Sequence, residues 1–120
     1  MKVLFVQPAP FLATALKITL RNAGFNLIVS ENTSNAVWTL QREEPEIVII
    51  DITQQGGIDY VIKAKKKNLP VIVISANGKE NDLQKAFDSG ADDYLSLPLS
   101  ISELALRVSI LSRSKFTRVA

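Results

Sequence analysis

The sequence predicts an α/β fold: an open five-stranded parallel sheet built as (βα)5, with helices on both faces. Five short apolar runs recur along the chain, separated by segments of helical period. The third and fourth runs are rich in Val and Ile without polar alternation, the pattern of strands buried on both faces. Right-handed crossovers between parallel strands then give a three-layer sandwich.

The strand-forming runs are Lys2–Val6, Phe25–Val29, Ile47–Ile50, Val71–Ile74 and Tyr94–Leu97. The first helix carries Phe11, Leu12, Ala15, Leu16, Thr19, Leu20 and Ala23 on one broad stripe, and Gly24 stands where a left-handed residue closes a helix. Ser34 is placed to cap a second helix bearing Ala36, Val37 and Leu40, which stops before Pro45. Ile58, Val61 and Ile62 begin a third, ending near Asn68-Leu69-Pro70. Leu83, Ala86 and Phe87 mark a fourth, closed by Gly90. Ser100-Ile101-Ser102-Glu103 is a capping box that opens a fifth, with Leu104, Val108 and Leu111 inward. The helical aromatics Trp38 and Phe87 read as packing residues. Residues 1–113 form one domain, and 114–120 read as a C-terminal tail or the start of a linker to an output domain.

Composition narrows the function. A chain of 120 residues encloses a single core, and 47% hydrophobic against 22% charged residues is ordinary for a globular domain. No run approaches the ~20 apolar residues of a membrane span, and the N-terminus has no signal-peptide pattern, so the expected location is cytoplasmic with no membrane partner. The absence of Cys and His removes thiolate catalysis, zinc–sulfur sites and the commonest general base. A net charge of +2 does not imply nucleic-acid binding by the domain itself. The cluster Lys63, Lys65, Lys66, Lys67 and the C-terminal Arg107, Arg113, Lys115, Arg118 read first as a solvated helix face and a polar tail.

In such folds function sits beyond the carboxyl ends of the strands. Those ends carry Gln7-Pro8, Asp51, Ser75-Ala76 and Ser96-Leu97-Pro98, with Asp51 the single carboxylate. An Asp there can simply start a loop, and Ser75 alone is unremarkable. Taken together, Ile47-Val-Ile-Ile-Asp51, Val71-Ile-Val-Ile-Ser75-Ala76, Gly90-Ala-Asp-Asp-Tyr94 and Leu97-Pro98-Leu99 resemble, in order and spacing, the bacterial two-component receiver domains. The resemblance runs from Lys2 to about Arg113. Gly90–Tyr94 followed by Glu103 and Arg107 looks most like the OmpR/PhoB branch, which joins a receiver to a winged-helix DNA-binding domain.

The resemblance implies a flavodoxin-like (CheY-like) fold, and it matches Asp51 to the phosphoacceptor, Ser75 to the switch hydroxyl and Tyr94 to the switch aromatic. It also implies a dimer surface on the fourth helix, fifth strand and fifth helix, here Lys85, Asp92, Asp93, Glu103 and Arg107. The departures lie in the pocket. Gln7-Pro8 stands where the family has an acidic pair for Mg²⁺, and Leu97 replaces the Lys that pairs with the phosphoryl group. The loop Thr53-Gln54-Gln55-Gly56-Gly57 lacks the usual Pro before Gly. Mg²⁺ wants several oxygen ligands, preferably anionic, and phosphoryl transfer relies on neutralised charge. The expectation is a non-enzymatic, atypical receiver with weak or absent Mg²⁺ binding and no other cofactor. It would dimerise without phosphorylation and reach DNA only through an output domain. The alternatives are a conventional Asp51-phosphorylated receiver and a ligand-sensing or protein-interaction pseudo-receiver.

Overall fold

A computed structural model describes residues 1–53, 55–76 and 80–119, with side chains to Arg113. Gln54 and the side chains of Lys115 and Arg118 therefore lie outside the described residues. Strands β1 (Lys2–Val6), β2 (Asn26–Ser30), β3 (Ile47–Asp51), β4 (Val71–Ser75) and β5 (Asp93–Ser96) alternate with helices α1 (Pro10–Asn22), α2 (Thr33–Glu43), α3 (Gly57–Lys66), α4 (Glu80–Asp88) and α5 (Ile101–Val119). All strands are parallel, in the order β2-β1-β3-β4-β5. The expected (βα)5 architecture is the one observed.

The Val/Ile runs behave as their composition demands. Ile47–Ile50 and Val71–Ile74 are fully buried, because helices cover both faces of the sheet centre. One core cluster joins Leu4, Val6, Val48, Ile50 and Val73 to α2 and α3 residues such as Leu40 and Tyr60. The other joins Val3, Phe5, Ile49, Ile72 and Ile74 to Leu16 and Leu20 of α1 and Leu104 and Val108 of α5. Tyr60, 1% exposed, donates its hydroxyl to the Ala36 carbonyl at 2.9 Å and so ties α3 to α2. Burial pushes the Tyr60 phenol well above its ordinary pKa.

Helix ends differ from expectation in detail. Asn32, not Ser34, caps α2: its backbone is extended and its Oδ1 accepts from the Asn35 amide at 2.8 Å, which leaves Ser34 inside the first turn. Gly24 and Gly90 have the expected positive φ, +90° and +104°. At α5, Ser100 Oγ accepts from the Glu103 amide at 3.3 Å, while the Glu103 carboxylate pairs with Arg107. The α5 backbone continues helically through residues 114–119, the segment read as a tail.

The expected packing roles of three aromatics are corrected. Phe11 and Trp38 are each 73% exposed and Phe87 is 47% exposed. In α2 the buried residues are Ala36, Thr39 and Leu40, which turns Trp38 to the opposite side of the helix. In α1 the buried set is Leu12, Ala13, Leu16 and Leu20, and Phe11 points outward.

Candidate functional site

Strand order reverses at β1, with β2 on one side and β3 on the other, so the crevice beyond the ends of β1 and β3 is the topological switch point. The pairing of Val6 with Ile50 sets Gln7 beside Asp51 there. Gln7 takes φ +60°, a left-handed conformation uncommon outside glycine. Its side chain turns inward, 4% exposed, and Nε2 donates to the Asp51 carbonyl oxygen at 3.1 Å. A neutral amide thus cross-links the two strand ends where the resemblance called for an acidic, metal-binding pair.

Asp51 is partly buried, and its Oδ1 accepts from the Thr53 amide at 2.8 Å. Thr53 in turn accepts the Ala76 amide on Oγ1 at 2.8 Å, which fastens the loop after β3 to the end of β4. Ser75 is fully buried, and its hydroxyl bonds Asp82 Oδ2 of α4 at 3.4 Å. Gln7, Asp51, Thr53 and Ala76 therefore form one chain of hydrogen bonds across the ends of β1, β3 and β4. Thr53 and Asp82 were not singled out from sequence. Thr53 had a signal, since a residue two places after Asp commonly donates to that carboxylate in an Asx turn.

Pro8 contributes no side-chain polar atom to this crevice. Leu97 donates its amide to the Ser75 carbonyl at 3.0 Å, and its side chain packs against the α1–α5 core cluster. The Leu97-Pro98 peptide is cis. One carboxylate and an amide whose nitrogen faces a carbonyl are a poor match to the several oxygen ligands of Mg²⁺. Among the described residues no three carboxylates converge on a metal-sized site.

Tyr94 points inward and packs against the α2–α3 core cluster. Its hydroxyl is buried without a hydrogen-bond partner among the described residues. Arg107 of α5 lies 3.5 Å from Asp93 on β5 and 3.5 Å from Glu103 one helical turn away. Glu103, Leu106, Arg107 and Ile110 share one stripe of α5, with Leu106 58% and Ile110 45% exposed, and Phe87 is exposed on α4, which packs on β5. Lys85 is exposed in the last turn of α4. Asp92 sits apart from this face: its Oδ2 accepts from Lys65 Nζ and the Val71 amide, each at 2.8 Å.

Among the described residues no helix is long and apolar enough to cross a membrane. Residues 3–109 match the response regulator receiver domain family. The chain is 32% identical over 115 residues to the "Probable transcriptional regulatory protein TcrX" of Mycobacterium tuberculosis, covering 92% of this chain and 49% of that protein. It spans about half the length of the curated relatives it matches. The receiver domain of the Francisella response regulator 1452 superposes with TM-score 0.84 at 29% identity, covering 95% of this chain and 98% of that one. HP1043, an orphan response regulator of Helicobacter pylori, superposes with TM-score 0.84 at 26% identity, covering 92% and 94%.

Proposed function

The chain belongs to the response regulator receiver domain family of signal-transduction modules, and we propose that it is an atypical member that works without phosphorylation of Asp51. The observation that carries this reading is the Gln7 amide seated on the Asp51 carbonyl at 3.1 Å, in the place a metal-binding carboxylate would take. Phosphoryl transfer depends on positioning and on neutralising charge at the transferring group. Gln7, Pro8 and Leu97 supply neither an anionic metal ligand nor a cation. A phosphoryl group on Asp51 would exchange the single carboxylate charge for about −2, and among the described residues no ion pair reaches Asp51 to offset it. Mg²⁺ binding is correspondingly weak or absent, and the chain is not an enzyme.

The working surface is then the face of α4, β5 and α5, through which the domain forms a homodimer. Exposed Phe87, Leu106 and Ile110 supply apolar area, and Asp93, Glu103, Arg107 and Lys85 supply charges of both signs that set register across a two-fold axis. Tyr94 already turned inward and the Thr53 link to Ala76 support an element held in one state by the protein's own bonds. A bistable element needs no ligand once its own interactions favour one state. TcrX is named a transcriptional regulator, and this chain spans half its length. We read the receiver as controlling a DNA-binding output domain, in the cytoplasm, with DNA contacted through that domain alone.

Restoring the pocket tests the reading. The combined Gln7→Asp, Pro8→Asp, Leu97→Lys variant should accept phosphate from acetyl phosphate and Mg²⁺, seen as an acid-labile mass increase, while the parent does not. Stoichiometric modification of the parent at Asp51 would establish the conventional receiver instead.

A further inference from the structure

Helices α2 and α3 enclose a groove that the reading above does not use. Its wider part, about 340 Å³, has Val37, Leu40 and Gln41 on the α2 side and Lys63, Lys66 and Lys67 on the other. A second cavity of about 210 Å³ shares Val37 and Lys63 and extends it toward the start of α2. The floor is apolar, with Leu40 only 5% exposed. Lys63, Lys66 and Lys67 follow the i, i+3, i+4 spacing of one helix edge, are exposed, and have no ion-pair partner among the described residues. Lys65, by contrast, turns away to Asp92. Trp38, 73% exposed, lines neither cavity but stands on the outer surface of α2 four residues after Ser34 and three before Gln41, both groove residues.

We propose that this groove docks an acidic amphipathic helix of a partner protein. Leucine-like side chains of the partner would enter over Val37 and Leu40, its carboxylates would face the three ammonium groups, and Trp38 would cover one edge. Rigid aromatics beside an apolar depression are the usual anchors of such interfaces, and the flanking charges steer encounter. A phosphate backbone fits less well. An apolar-floored cavity gives it nothing, the lining has no Arg, and Asp59 closes the narrower end with a negative charge. None of the residues lining the groove belongs to the Gln7–Asp51–Thr53–Ala76 chain or to the α4-β5-α5 face, so the surface stands or falls independently of the proposed function.

The probe is a fluorescein-labelled synthetic peptide with Leu at i, i+3, i+4 and i+7 and Glu between, titrated with the full chain by anisotropy. Binding should saturate, weaken at least about tenfold in the Lys63→Glu, Lys66→Glu variant, weaken severalfold in Trp38→Ala, and fall as salt rises. Circular dichroism and thermal midpoints near those of the parent establish that these exposed changes leave the fold intact. The proposal is overturned by any of three results. These are no saturable binding to the parent, equal binding of a sequence-scrambled peptide, or a single-stranded oligonucleotide binding more tightly than the peptide.

Discussion

Gln7→Glu exchanges one nitrogen for one oxygen and so isolates the amide that organises the crevice. The Gln7 side chain is 4% exposed, and its nitrogen donates to the Asp51 carbonyl at 3.1 Å. An ionised carboxylate would set an acceptor against that acceptor. The lost bond and the unpaired, part-buried carbonyl cost about 1–3 kcal/mol. Burial and the nearby Asp51 raise the pKa of the introduced carboxyl, at about 1.4 kcal/mol for each unit. The total at pH 7 is about 3 kcal/mol, or roughly 12 °C in the melting midpoint at about 4 °C per kcal/mol for a domain of this size. The sign with pH is opposite to that of a salt-bridged carboxylate. A group whose folded pKa is raised leaves the protein fully penalised above the folded pKa and recovering as pH falls toward the unfolded value, about 4.3. Once protonated, the acid can also donate to the Asp51 carbonyl. Thermal melts of parent and variant at pH 7 and pH 5 should show the gap shrinking by more than half. A gap that is absent at pH 7, or equal at both values, would refute the role given to the Gln7 amide.

Tyr60→Phe leaves the Ala36 carbonyl without its buried donor and should lower unfolding free energy by about 1–2 kcal/mol in urea titrations. Because the folded Tyr60 phenol is raised by burial, its contribution is complete below the unfolded value of about 10 and drains as pH rises beyond it. The variant should lack that alkaline slope, and an unchanged slope would assign it to other groups. Tyr94→Phe removes a buried hydroxyl with no partner among the described residues and should raise stability by up to about 1 kcal/mol. A clear loss of stability would mean that the hydroxyl is satisfied in solution.

The sheet was legible because uninterrupted Val and Ile at Ile47–Ile50 and Val71–Ile74 have few homes other than strands covered on both faces. The switch point followed from βα order, and with it the placement of Gln7, Asp51, Ser75 and Leu97 at the strand ends. Side-chain direction was not legible. That the Gln7 amide reaches the Asp51 carbonyl depends on the β1–β3 register and on a positive φ that the residue type does not announce. The Thr53–Ala76 bond spans 23 residues and exists only after β3 and β4 pair. Asn32 and Ser34 are both good caps, and the path of the chain leaving β2 chose between them. Trp38 reads as core by hydrophobicity, yet the stripe Ala36, Thr39, Leu40 claims the inner face. Asp92 grouped with Asp93 in sequence, but its carboxylate turned back to Lys65 and the Val71 amide.

The central claim is that the domain assembles without phosphate, and sedimentation velocity of the parent chain tests it most directly. Run with and without Mg²⁺ and acetyl phosphate, the protein should give superimposable distributions containing the dimer in both, and Arg107→Glu should shift both alike toward monomer. A parent that is monomeric alone and dimerises only with the phosphodonor would contradict the account.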